Sequence, residues 1–231
     1  LQLMTDDTGM LQHASFNVPR YQEGYCIDDN ARALLLVSLI EDAGDVDAKA
    51  IRALASRYLA FVSHAFDRDR GRFRNFMSYA RQWLEAQGSE DSNGRTIWAL
   101  GTVVGRSKDP GRRSLSGDLF HAALPAVSRF TSPRAWAYTL LGINEYLRAF
   151  EGDTSVQAVR KAVAVRLLEL FQRVRDVSRL PQIRPQVEPI LRGIGPQAHR
   201  LPQVHEGRFG FPLRGQDVPE VSVSKVALRV H

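Results

Sequence analysis

Cysteine is almost missing from the chain. One residue, Cys26, in 231 excludes an internal disulfide framework and a thiolate metal cluster, and fits a reducing compartment. Lysine is scarce too: only four of the 31 basic residues are lysine, so the net charge of +6 and the pI near 9.8 rest on arginine. The arginines are scattered rather than gathered into a stripe, which argues against nucleic acid as a partner. Long apolar runs are absent, the longest lying around Ala33 to Ile40, far short of the roughly 20 residues of a membrane span. No span is expected. There is no G-x-x-x-x-G-K-[ST], no helix-opening G-x-G-x-x-G, no G-x-S-x-G and no H-E-x-x-H. A D-D-x-x-D word for a magnesium diphosphate is spoiled by Arg32 at its fifth place, a cation that would compete for the same carboxylates. No metal and no cofactor is therefore expected. Hydrophobic content of 44% with 24% charged residues is ordinary for a globular protein, and a cytoplasmic setting is the expectation. The chain opens on Leu1 rather than Met, so it is expected to be a fragment whose lack of a leader says nothing of the parent protein.

What the chain does hold is a series of helical words. In "YQEGYCIDDNARALLLVSLIEDAG", Asp29 to Ala43 is apolar almost all round, with an Asp cap at its start and Gly44 as its stop. It should be an inner helix. Asp45 to Ala65 carries Ile51, Leu54, Tyr58, Leu59 and Val62 at spacings of three and four, the pattern of an amphipathic outer partner. After a polar turn at Gly71, the region of Phe73, Asn75, Phe76 and Tyr79 reads as a short strand pair or an aromatic loop. The alternation resumes with Ser92–Val104 inner, Ser114–Phe130 amphipathic, Ser132–Ala149 inner and Thr154–Val174 amphipathic. That makes three helical hairpins.

A weak repeat supports the pairing. "DDNARALLL", "DSNGRTIWA" and "TSPRAWAYT" can be laid over one another so that Arg32, Arg95 and Arg134 coincide, and the first two share Asp, Asn and Arg at identical spacing. If every inner helix points the same way, these starts meet on one rim. A cap alone needs one Asp, whereas this cluster holds two, with an Asn and an Arg, as the mouth of a cavity would.

The blocks "MTDDTGMLQHASFNVPRYQEGYCIDDNARALLL", "SEDSNGRTIWALG" and "SPRAWAYTLLGINEYL" resemble the helical domain found after the glycosyltransferase region of bacterial sugar-processing proteins, within the six-hairpin glycosidase-like superfamily. The likeness spans about residues 3 to 173. It implies an all-α (α/α)6 toroid with a carbohydrate site at its rim, and a glycosyltransferase domain linked to it in the full-length protein. Six hairpins make such a toroid and this chain supplies three, so the fold expected is an incomplete (α/α)6 toroid of helical hairpins over residues 1–174. Residues 175–231 hold seven of the eleven prolines and no tryptophan, and are expected to be an irregular C-terminal tail, frame-shifted or poorly ordered.

Glycosidic hydrolysis needs two carboxyl groups, roughly 5 to 10 Å apart. Asp28, Asp29 and Asp91 are the catalytic candidates, with Asp6, Asp7 and Glu90 near in sequence. Asp28 and Asp91 hold equivalent repeat positions; Asp29 more naturally caps its own helix, and Asp6 and Asp7 suit a solvated turn. Asn30, Asn93, Arg32 and Arg95 are candidate substrate contacts. Together with Arg134, the arginines could instead clamp the loops before the inner helices, and a repeated position needs only that repeated structural cause. Tyr25, Phe76, Tyr79, Trp83, Trp98 and Trp136 offer faces for stacking on sugar rings. Tyr25 and Tyr79, in loops, are preferred over the two tryptophans inside inner helices. His13 is a candidate acid–base partner. The expected function is binding or processing of a polysaccharide or oligosaccharide. A carbohydrate-binding scaffold without chemistry, or a structural repeat that docks a protein, are the rivals.

Overall fold

The computed structural model describes residues 1–44 and 48–178. Six helices dominate it: α1 (Ile27–Ala43), α2 (Ala48–Ala65), α3 (Glu90–Arg106), α4 (Pro110–Ala123), α5 (Pro133–Leu147) and α6 (Thr154–Ser178). The fold is all-α, built of helical hairpins. α3 lies in the middle of a row of inner helices, packing along most of its length against α5 and on its other side against α1, while α2 and α4 cover the outside. Leu1–Val177 forms one compact unit. The core is continuous through it, from Leu34 and Val37 on α1 and Tyr58 and Val62 on α2 to Leu100 and Val104 on α3, Phe120 on α4 and Ile143 on α5. α6 leans on this core through Val156 and Val163, and Arg166 stacks over Trp136 at 4.5 Å while donating to the Ser128 and Phe130 carbonyls.

The inner helices run parallel, because starts meet starts and ends meet ends. Arg95 of α3 pairs with Asp28 of α1 at the leading ends. At the trailing ends Arg106 of α3 holds Asp42 of α1 at 3.0 Å and Glu145 of α5 at 2.6 Å, where a cation also suits the helix dipole. The buried Arg112, paired with Glu41 at 2.5 Å, fastens α4 to the end of α1.

Short strands link the loops before the inner helices. β1 (Ala14–Ser15) pairs with β2 (Val18–Pro19), and β4 (Phe66–Asp67) pairs with β5 (Arg72–Phe73). Most consequential is β3 (Tyr25–Cys26) against β6 (Phe76–Met77), which lays the loop before α3 beside the start of α1. That pairing changes the expected cap of α1. Cys26 is the last extended residue, so the helix begins at Ile27 and the Cys26 sulfur, not an aspartate, accepts the Asp29 N–H. At the other end Gly44, left-handed at φ 83°, stops α1 as expected.

The outer helix placed at Ser114–Phe130 starts earlier and ends earlier. Asp109 caps it with Pro110 in the first turn, and Pro125 converts its end to a 3-10 stretch, Leu124–Arg129. The start expected at Asp45 falls outside the described residues, and so does the tail beyond Ser178; α6 itself runs past Val174. No helix among the described residues is long and apolar enough to cross a membrane.

Candidate functional site

Counting from the caps gives the inner helices a common register. Cys26, Ser89 and Ser132 are the caps, each accepting from a backbone N–H three residues on. Two places after the cap stand Asp28, Asp91 and Arg134; four places after, Asn30, Asn93 and Trp136; six places after, Arg32, Arg95 and Tyr138. The first two copies of the repeat are therefore equivalent as expected, but Arg134 matches the aspartates rather than Arg32 and Arg95. Matching the third copy by residue type alone shifts it to a register that the cap does not allow.

The four-place residues are fasteners. Asn30 accepts from the Met10 N–H at 2.8 Å and donates to the Met10 and Cys26 carbonyls. Asn93 repeats this pattern with the Phe73 N–H at 2.8 Å and the Phe73 and Ser89 carbonyls. Each amide stands in for a strand partner, tying an extended segment to the helix that follows it. Both are buried with their polar atoms engaged, and neither lines the cleft that the rim borders. Trp136 holds the third loop by donating to the Phe130 carbonyl at 2.9 Å.

The two-place and six-place residues form a charged rim. Asp28 accepts from Arg32 at 2.6 Å and from Arg95 on the next helix; Arg95 in turn donates to the Tyr138 hydroxyl at 2.8 Å and lies 4.7 Å above its ring. Asp29 accepts from Arg32 at 3.0 Å and from the Cys26 thiol. Asp91 accepts from the Ser132 hydroxyl at 2.5 Å and from Arg134 of α5. Glu90 holds the next cap by accepting from the Thr131 and Ser132 N–H groups, both at 2.7 Å.

This rim borders an open cleft of about 370 Å³. Asp28, Asp29, Arg32, Asp91, Arg95 and His13 all line it, so six of the sequence-derived candidates meet in space. Arg134 joins them, and so do Phe76 of β6 and Asn75 just before it. Asp6 and Asp7 lie elsewhere. Asp6 closes a turn by accepting from the Thr8 and Gly9 N–H groups, and Asp7 is exposed beside Arg57.

The preferred aromatic residues are not in the cleft. Tyr25 is buried despite its loop position, donating to Asp6 at 2.5 Å beneath the Tyr79 ring. Tyr79 stacks on Tyr21, with ring centres 4.9 Å apart, on an exposed patch away from the cleft lining. Trp136 is core, while Trp98 is half-buried and stacked parallel to Tyr138. Phe76 is the aromatic side chain that lines the cleft, with 38% of its surface exposed.

Cys26 contributes no nucleophile. Burial first, then the neighbouring Asp29, push its thiol well above the ordinary range. Tyr25 is pushed up to about 12, by burial and then by the hydrogen bond to Asp6. Because a folded-state pKa raised above the unfolded value of about 10 favours the folded state only while the phenol is protonated, that stability is present below pH 10 and lost as pH climbs toward 12. Thermal melts between pH 9 and 12, roughly bracketing that window, should fall less steeply for Tyr25→Phe than for the parent. Some alkaline loss should persist, since Tyr146 is also pushed up to about 12.

Comparison of the chain with protein-family models, with curated proteins and with solved structures gives no match.

Proposed function

We propose that this domain is a carbohydrate-recognition module that holds a polysaccharide or oligosaccharide in the rim cleft. The observation that carries this reading is the cleft's lining: planar charged groups fixed by one another, next to one exposed aromatic ring. A sugar offers hydroxyls around a ring and an apolar C–H face. Carboxylates and guanidinium groups already oriented by pairing can bond those hydroxyls without first being ordered, and Phe76 can cover the C–H face. Arg32 and Arg134 keep 54% and 69% of their side-chain surface exposed, which leaves N–H groups for a ligand.

Binding without cleavage is the better supported form of the reading. A glycosidase needs a carboxyl group that carries a proton to the leaving oxygen. Each of Asp28, Asp29 and Asp91 instead faces an arginine. In this reading the module presents glycan to a glycosyltransferase domain joined to the same chain, in the cytoplasm, where the single thiol stays reduced.

Calorimetric titration of the chain with a panel of oligosaccharides tests the proposal, with Phe76→Ala as the variant. Removing the ring should weaken binding about tenfold, with little change in melting temperature because Phe76 packs only in part. Sugar release by the parent, abolished in Asp91→Asn, would replace the binding module by an enzyme. No binding across the panel would reject the carbohydrate reading altogether.

A further inference from the structure

The arginines of the inner helices divide by how much of the guanidinium the protein uses. Arg106, at the trailing ends, has every nitrogen engaged: Nε and Nη2 donate to Glu145 and Nη1 to Asp42. Arg95 is enclosed, with Asp28 and the Tyr138 hydroxyl on its two terminal nitrogens and the Tyr138 ring against its face. Arg134 differs from both. It lines the cleft with 69% of its side chain exposed, and Asp91 is its one partner among the described residues.

A guanidinium has two edges on which N–H groups lie parallel, one made by Nε with Nη2 and the other by Nη1 with Nη2. The Asp91 Oδ2 atom takes the first edge of Arg134. The second edge has no protein partner among the described residues, and its two N–H groups match the two oxygens of a carboxylate. Stability does not explain the residue. Asp91 already ties α3 to α5 by accepting from the Ser132 hydroxyl with Oδ1, and an ion pair as exposed as Asp91–Arg134 contributes little.

The lining sets Asp28, Asp29 and Asp91 against Arg32, Arg95 and Arg134, but the two signs are not equally presented. The three carboxylates keep only 21 to 24% of their side-chain surface, each paired with an arginine, whereas Arg32 and Arg134 stand forward at 54% and 69%. Arg32 spends Nη1 on Asp29 and Nη2 on Asp28, and its Nε has no partner among the described residues. A ligand therefore meets guanidinium before carboxylate. α1, α3 and α5 all begin at this rim, so the positive ends of their dipoles add to the same sign. A single negative charge suits such a lining; a doubly charged group has no surplus arginine to meet.

Resting on the carbohydrate reading of the cleft, we infer that Arg134 is its specificity-determining residue and that the glycan it selects carries a uronate, whose carboxylate docks on the free edge of that guanidinium. The full chain, Arg134→Gln and Arg134→Lys are titrated with oligouronates of gluco, galacto and manno configuration. The same oligosaccharides with each carboxyl reduced to a primary alcohol, and sulfated neutral oligosaccharides, complete the set. Each protein is also melted without sugar. Reduction removes the charge and leaves ring and linkage, so the ratio of the two affinities reads the carboxylate alone. The parent should bind at least one oligouronate about tenfold or more tightly than its reduced form. Arg134→Gln should lose that preference and bind the two forms within about threefold of each other. Arg134→Lys, which keeps the charge but not the fork, should retain part of it. Both variants should melt at the parent's temperature.

Equal binding of an oligouronate and its reduced form by the parent, or binding of neutral sugars alone, overturns the inference and leaves the carbohydrate reading standing. A preference that survives in Arg134→Gln overturns the assignment to Arg134. Tighter binding of the sulfated compounds than of any oligouronate overturns the carboxylate class. A melt lowered well below the parent's in both variants overturns the assignment as well, since Arg134 would then be holding the fold. If the parent binds no sugar, the carbohydrate reading fails, and this inference with it.

Discussion

Asn93→Ala should cost the fold about 3 kcal/mol, lowering the melting temperature by roughly 6–12 °C. The loss is concentrated in one group. Without the Asn93 Oδ1 the Phe73 N–H has no acceptor in a buried site, whereas the Phe73 carbonyl keeps the Gly88 N–H at 2.9 Å and the Ser89 carbonyl keeps the Asn93 backbone N–H. An orphaned buried donor plus the space left by the amide is the short list of mechanisms that produces a change of this size. Asn30→Ala should behave alike, because Met10 stands to Asn30 as Phe73 stands to Asn93. The exposed Asn144→Ala is the control, expected within about 0.5 kcal/mol of the parent. Chemical unfolding curves of the three variants decide the matter. If Asn93→Ala were as stable as the control but lost oligosaccharide binding, the repeated asparagine would be a ligand contact and not a fastener.

The helices were legible because burial of Ile51, Leu54, Tyr58, Leu59 and Val62 follows the spacing of three and four that their sequence displays. The repeated Asp-x-Asn-x-Arg word was legible as a repeat, and its two copies do meet at one rim. What the asparagine does was not legible. Its partners are backbone atoms twenty residues upstream, at Met10 and Phe73, and no side-chain type marks such a place. Tyr25 was misplaced for a related reason: loops are exposed as a tendency, yet Tyr25 pairs as β3 and is roofed by Tyr79. The alternating burial of Phe73, Asn75 and Met77 is the mark of an extended segment, but the aromatic-rich composition leaves strand and loop both open there.

Gly101→Ala should destabilise the chain by about 3 kcal/mol, although helix propensity alone would raise stability by about 1 kcal/mol for the same change. The two effects have opposite signs, so the sign of the result discriminates. At Gly101 an added Cβ would sit 2.1 Å from the Gly142 carbonyl oxygen and 3.0 Å from the Gly142 Cα, backbone atoms of α5 that cannot swing aside. The approach is mutual: a Cβ on Gly142 would meet the Ile97 carbonyl oxygen of α3 at 2.6 Å. Relief requires moving α3 from α5, and both carry rim residues, Asp91 and Arg95 on one and Arg134 and Tyr138 on the other. Widening that gap would loosen the Arg95–Tyr138 hydrogen bond and the Asp91–Arg134 pair together, so sugar affinity should fall with stability. Gly152→Ala, where a Cβ meets nothing within 4 Å, is the matched control and should be nearly neutral. A Gly101→Ala chain that unfolds at higher denaturant than the parent would mean that the inner helices do not touch backbone to backbone, and the parallel row that brings Asp28 and Asp91 to one cleft would lose its closest contact.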